Sequence, residues 1–319
     1  MSEIWLNAIL VAIGLVMIYY GANWLINGSV AIAKKLNISH LIIGLTIVAF
    51  GTSTPELTVS LSAVLGGYND VTMGNVVGSN IANIGMVLGL AAVLSPIVVA
   101  KTTVRREIPI MILVTLLIIP ISLDNEISQI EGIFMMTGAV LFTIFSYRQS
   151  KKEKIQDTSL VTITNGKEIS YKRSIFYIGL GSVFLIVSSV ITVDNAVIIA
   201  ESFGVPNLII GITLLAVGTS LPELITTIMA IKKGHADLSV GNIIGSNIFN
   251  ILVIAGASAA VTGIVVNPEI MRDYVVMIAF SLLLIPIMKS GLSINKFEGS
   301  LLLGGYIAYA IFLFYSLTT

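Results

Sequence analysis

GTSTPE at 51–56 and GTSLPE at 218–223 are one six-residue word apart from a single position, and GNVVGSN at 74–80 answers GNIIGSN at 241–247. Both words belong to longer stretches, 41–89 and 208–256. These align without a gap at an offset of 167, with 24 of 49 positions identical. Identity at that level between two halves of one chain marks a duplication. The shared glutamate of each word, Glu56 and Glu223, lies inside an apolar run where an acid has no place without a purpose.

The runs set the class. The chain of 319 residues is 56% hydrophobic and only 11% charged. Its mean hydropathy is +0.99. Apolar segments of about twenty residues recur along it, each long enough to cross a bilayer as a helix. The expected fold is an all-α, polytopic membrane protein. With no cysteine, disulfides, thiolate metal sites and thiol catalysis are excluded. The net charge is zero, and no basic stretch is interleaved with aromatics, so nucleic acid is not an expected partner. The first apolar segment has no basic flank before it and reads as a retained span rather than a cleaved signal peptide.

Ten spans are expected, near 5–33, 41–65, 72–98, 107–123, 130–147, 174–202, 207–231, 238–265, 272–288 and 299–317. They group as a first five-helix repeat (1–147), a polar linker (148–173) and a second five-helix repeat (174–319). Of the seventeen Lys and Arg, all but Arg272 then fall on one side. Positive charge accumulates in cytoplasmic loops, so the linker is expected in the cytoplasm and both termini outside, in a cell (plasma) membrane protein. Five spans per half, an odd number, turn the second copy upside down. Inverted repeats are common in secondary transporters, with the site near mid-membrane where the repeats meet. Channels are duplicated too, so a pore remains a reading at this point.

The repeated words carry chemistry. An acid at mid-membrane depth costs roughly 2.5–3.5 kcal/mol on insertion scales, so two together call for a cation or a proton. Pro55 and Pro222 precede the acids and free the carbonyls of Gly51 and Gly218 from helix bonding. In lipid such a carbonyl needs another partner, and a bare cation serves. Thr52, Ser53, Thr219 and Ser220 set hydroxyls three or four residues before the acids, on the same helical face. Asn75, Ser79 and Asn83, and likewise Asn242, Ser246 and Asn250, recur at intervals of four and form a polar stripe in each half. Of these, Ser79, Ser246, Asn83 and Asn250 are the favoured ligands. Gly74, Gly78, Gly241 and Gly245 permit close helix approach. Every candidate ligand is an oxygen, which suits Ca²⁺, Na⁺ or Mg²⁺, and a flexible many-oxygen set suits Ca²⁺ better than Mg²⁺. His40 and His235 are placed in loops, and Asp194 reads as structural.

At these words the chain resembles the sodium/calcium exchangers of the cation/calcium exchanger superfamily, whose alpha repeats carry paired GTS-x-PE and GN-x-x-GSN-x-x-N signatures. The likeness spans essentially the whole chain. It implies Ca²⁺ binding by Glu56 and Glu223, assisted by Thr52 and Thr219. It also implies Na⁺ ligands among Ser53, Ser79, Ser220 and Ser246, with the carbonyls of Ala49 and Ala216. The long first and sixth helices would slide across a central bundle. Many microbial members carry an acid where this chain has Asn250. With amides at both Asn83 and Asn250, potassium independence is expected. The linker is too short for the Ca²⁺-sensing domains of animal exchangers. The expected function is electrogenic Na⁺/Ca²⁺ antiport by alternating access, with Ca²⁺ and Na⁺ as transported ions, no prosthetic group, and no partner beyond the bilayer. A Ca²⁺/H⁺ exchanger of the same superfamily is the main alternative, although acids are expected there in the GN-type words, where this chain has Ser79 and Asn80. An intramembrane enzyme is not expected, since neither HExxH nor a pair of intramembrane Asp is present.

Overall fold

The computed structural model describes residues 2–156, 170–204 and 216–318. Two long helices, α1 (Ser2–Leu36) and its counterpart Tyr171–Ser202, lie side by side along their lengths. Small residues make that approach possible. A Cβ on Gly21 would sit 3.0 Å from the Gly181 carbonyl, and one on Gly28 would sit 2.7 Å from that of Ser174. Gly14, Gly21 and Gly28 recur every second turn on α1, and Ser174, Gly181 and Ser188 do so on the facing helix.

After α1 the chain runs through α2 (His40–Ile43), a π turn at Gly44–Val48, α3 (Ala49–Thr52) and α4 (Thr54–Leu65). Helix α3 stops at Ser53 because Pro55 cannot supply an amide proton to the next turn. The two parts meet at 48°. Next come α5 (Asn69–Ala82), a π segment at Asn83–Leu88 and α6 (Gly89–Leu94), then β1 (Ile97–Val98). A π turn at Thr103–Glu107 leads into α7 (Ile108–Ile121), followed by β2 (Glu126–Ile127) and α8 (Gln129–Gln156).

The same succession returns. Helix α9 is Tyr171–Ser202, α10 is Ala216–Thr219 and α11 is Leu221–Lys232. Then follow α12 (Ala236–Phe249), a π segment at Asn250–Ala255 and α13 (Gly256–Thr262). The chain closes with β3 (Ile264–Val265), α14 (Met271–Lys289), β4 (Ser293–Ile294) and α15 (Lys296–Thr318). From α3 to the second π segment, element starts in the two halves differ by the same 167 residues as the sequences. Even the turns repeat, with Gly67 at φ +80° and Gly234 at φ +79°, a conformation open to glycine.

Two short ribbons tie the halves together. β1 pairs with β4 and β2 with β3, both antiparallel, so each half supplies one strand to each ribbon. Helices α5 and α12 form the axis: the 18-residue apolar windows within Asn69–Leu94 and Ala236–Thr262 are 83% and 78% buried, against 11–33% for those of the other long apolar helices. Gly241 and Gly245 let α12 press against the 41–49 segment, where a Cβ would strike the carbonyls of Leu41 and Leu45. The stretch 208–215, which repeats 41–48 in sequence, lies outside the described residues.

Among the described residues, seven helices are long and apolar enough to cross a membrane, and the bent pair His40–Thr52 and Thr54–Leu65 makes an eighth if counted as one span. Of the ten expected spans, the fourth is not among these: its helix runs unbroken over 101–121, but Lys101, Arg105, Arg106 and Glu107 crowd its first two turns. The start of the seventh, 207–215, is outside the described residues, as is half of the linker, 157–169. Helix α8 continues to Gln156, nine residues past the expected end of the fifth span, because Tyr147 to Gln156 contains no glycine or proline to stop it.

Candidate functional site

The break after Thr52 turns Ser53 into the hinge of the first half (φ −87°, ψ 9°), and Ser220 plays the same part in the second (φ −85°, ψ 1°). Each glutamate therefore sits in the first turn of a new helix, Glu56 on α4 and Glu223 on α11. A carboxylate is favoured there by the free amides and the helix dipole. Ala49, Thr52, Ser53, Glu56, Ser79, Asn83, Thr219, Ser220, Glu223, Ser246 and Asn250 are all buried, none above 5% exposed. Ala216, on α10, is described in its backbone alone.

The two glutamates come from different halves and lie within coulombic reach of each other. Ser53 Oγ crosses between the halves to donate to Glu223 Oε1 at 2.9 Å. Thr52 and Ser246 also face Glu223. Thr52 Oγ1 lies against Asn242 Oδ1 at 3.1 Å and the Val48 carbonyl at 3.2 Å. The Ala49 carbonyl takes the Ser53 amide at 2.9 Å and the Thr52 hydroxyl at 3.4 Å. In the first half Asn75 Nδ2 donates to the Glu56 carbonyl (3.0 Å) and to Ser60 Oγ (2.8 Å), anchoring the turn that carries the acid.

What remains is a set of buried oxygens with no hydrogen-bond partner: Glu56 Oε2, Glu223 Oε2, Ser220 Oγ, Asn83 Oδ1 and Asn250 Oδ1. Neither carboxylate has a basic partner among the described residues. Burying two acids without compensation is costly, and a hard cation supplies both charge and the missing coordination. The donor set is oxygen alone and drawn from both halves. It therefore fits Ca²⁺ or Na⁺ and offers nothing soft for zinc or copper.

Three features escaped the sequence reading. First, the freed Gly218 carbonyl receives Ser189 Oγ from α9 at 3.4 Å, so a hydroxyl takes part of the role assigned to a cation. The signal was a lone serine among many in an apolar helix. Second, α5 and α12 widen into π segments that begin at Asn83 and Asn250, so the regular repeat holds along each polar stripe and ends at its last residue. Third, Asn80 and Asn247, one position after the favoured serines, bond across the midline to Asn250 and Asn83. Their recurrence in both GSN words was the available clue.

The residues set aside also find places. Asp194 is exposed on α9, away from these oxygens. Its counterpart Asn27 accepts from Lys233 Nζ at 2.8 Å. His40 opens α2 rather than lying in a loop, because Ser39 caps that helix by accepting from the Ile42 amide. Its ring meets that of His235, just before α12, edge to face at 4.8 Å. Burial first, and then Lys233, push the His235 pKa down.

Comparison with known proteins gives the family. Residues 6–148 and 173–315, nearly the whole of both halves, match the family described as sodium/calcium exchanger protein. The chain belongs to the sodium/calcium exchanger family. Sodium/calcium exchanger MaX1 of Methanosarcina acetivorans is 33% identical over 345 aligned positions, covering 97% of this chain and 99% of the relative. Inner membrane protein YrbG of Escherichia coli is 35% identical, covering 96% of each chain. The solved structure of the sodium-calcium exchanger NCX_Mj superposes with a TM-score of 0.81 at 30% identity, covering 96% of this chain and 98% of that one. Membership in this exchanger family, together with the apolar helices, makes the chain a multi-pass membrane protein.

Proposed function

We propose that this exchanger is a secondary antiporter that moves Na⁺ against Ca²⁺ by alternating access. The observation that carries the reading is the buried pair Glu56 and Glu223, one from each half, each with an unpartnered oxygen. One Ca²⁺ balances the two carboxylates. More than two Na⁺ in the same space leave surplus positive charge, so exchange is electrogenic. Thr52 and Thr219 assist Ca²⁺. Ser53, Ser79, Ser220 and Ser246, with the carbonyls of Ala49 and Ala216, complete the coordination for Na⁺, and the amide oxygens of Asn83 and Asn250 serve whichever ion is bound. With amides at 83 and 250, no further cation is required, and transport is independent of K⁺.

The chain is read as ten spans in two inverted five-helix repeats, 1–147 and 174–319. Equal offsets between elements of the two halves and the ribbons to which each half supplies a strand support this arrangement. The clustering of basic residues puts both termini outside and the linker at 148–173 in the cytoplasm. Helices α1 and α9 meet through small side chains and backbone, a smooth contact suited to sliding over the core. No prosthetic group takes part, and no chemical bond is made or broken.

The test is Ca²⁺ uptake into proteoliposomes loaded with Na⁺ and diluted into Na⁺-free medium, beside vesicles loaded with K⁺ or with acidic buffer. Uptake in the Na⁺-loaded set alone, increased by an inside-positive potential set with an ionophore, is the expected result. Equal uptake driven by internal acid assigns the protein to proton-coupled exchange, and uptake in every set makes it a channel.

A further inference from the structure

We infer that Asn80 and Asn247 are positioning residues that fix which end of the Asn250 and Asn83 amides is offered to the transported ion. The inference rests on the ion site proposed above. An amide has two unlike ends: its oxygen can coordinate a cation and its NH₂ cannot. On an apolar axis, a freely turning asparagine offers a cation the wrong end part of the time. Something must hold it.

The bonds along α5 and α12 do so reciprocally. Asn80 Nδ2 is committed to the Asn247 main-chain carbonyl at 3.3 Å and to Met277 Sδ at 3.5 Å. Both partners only accept, so the nitrogen of Asn80 is fixed there and its oxygen must face the other way. That oxygen accepts Asn250 Nδ2 at 3.0 Å. Asn250 is thereby held with its nitrogen engaged and its oxygen unpartnered in a fully buried setting. The other half repeats the logic. Asn247 Nδ2 is given to Met111 Sδ at 3.6 Å, and Asn247 Oδ1 accepts Asn83 Nδ2 at 3.4 Å. This again leaves Asn83 Oδ1 unpartnered. All four asparagines are at most 1% exposed, so water does not compete for these bonds.

Two consequences follow. The thioether sulfurs of Met111 and Met277, soft and weakly accepting, act here as orientation markers rather than as core filler. Each positioning bond also crosses from one half to the other, so the presentation of both oxygens depends on how the halves dock. Asn80 and Asn247 themselves need no contact with the ion.

The test is Ca²⁺ binding to purified protein, measured by titration calorimetry beside the thermal midpoint, in a cycle of Asn80→Ala, Asn250→Ala and the double variant. Asn80→Ala is expected to weaken Ca²⁺ binding about tenfold, the scale of one buried hydrogen bond. In the Asn250→Ala background the same change should have no further effect on affinity. Equal losses in both backgrounds, or full affinity in Asn80→Ala, overturn the inference. A fall in thermal midpoint with affinity intact makes the contact merely structural and also overturns it. If Asn80→Ala does not fold, the cycle is read on Asn247 and Asn83, which make the equivalent contact. Wild-type protein that binds no Ca²⁺ refutes the proposed ion site itself, and that outcome is distinct from the others.

Discussion

Glu56→Gln and Glu223→Gln are each expected to reduce Ca²⁺ transport to background while the protein still folds. The two carboxylates are the only acids among the buried candidate ligands, and each keeps an oxygen without a partner. Glutamine preserves shape and one oxygen but halves the charge that a divalent cation meets. Leaving a buried charge without its counterpart costs about 3–5 kcal/mol, so affinity falls by at least roughly a hundredfold. Folding should tolerate the change, because a neutral amide is easier to bury than a carboxylate. Purified variants with a normal thermal midpoint and no uptake are the predicted outcome. Near-wild-type flux from either variant would remove that glutamate from the site. The two variants should differ in detail. Glu223 receives the Ser53 hydroxyl, which glutamine can still accept through its oxygen, whereas Glu56 is held through its backbone by Asn75.

Asn250→Asp has the next largest expected effect, and its sign follows from one hydrogen bond. Asn250 donates to Asn80 Oδ1, which is fixed as an acceptor by the partners of its own nitrogen. An ionised aspartate would set oxygen against oxygen there. A protonated one can donate and so replace the amide. Uptake by the variant should therefore be fullest at low pH and fall as the acid ionises. The fall approaches about tenfold per pH unit beyond that point, as the protonated fraction does. If the ionised acid captures K⁺ instead, uptake at high pH becomes K⁺-dependent. The parent chain, with no acid at this position, should show neither behaviour. Indifference of the variant to both pH and K⁺ would show that the identity of residue 250 does not matter to coupling.

How far the sequence revealed this arrangement depends on the kind of interaction. The duplicated words led to the family through their polar residues, since Glu56, Pro55 and Asn83 have few other uses in an apolar helix. The helix break was legible because proline lacks an amide proton, and the structure places the hinge at Ser53 and Ser220, the second hydroxyl of each pair. The close approach at Gly241 and Gly245 was legible from their spacing.

Other features depend on partners that no local pattern names. Ser189 reaches the Gly218 carbonyl only because α9 happens to pass there. The π turns at Asn83 and Asn250 add a residue to the helical repeat with no proline to announce them, and Gly85 in the first is matched by Leu252 in the second. The Asn80 and Asn247 contacts join residues some 170 positions apart in sequence, and the methionines that orient them look like ordinary core. The fourth span was counted from its apolar run, and its helix extends back from that run through a π turn that carries Arg105 and Arg106.

The central claim is that Na⁺ and Ca²⁺ compete for one pair of carboxylates. It is tested most directly by radioactive Ca²⁺ bound to the purified protein at equilibrium and titrated with Na⁺, with choline as the control for ionic strength. The account predicts complete displacement by Na⁺, steeper than first order because several Na⁺ replace one Ca²⁺, and no displacement by choline. Ca²⁺ that stays bound at saturating Na⁺ would contradict it, because the two ions would then occupy separate sites.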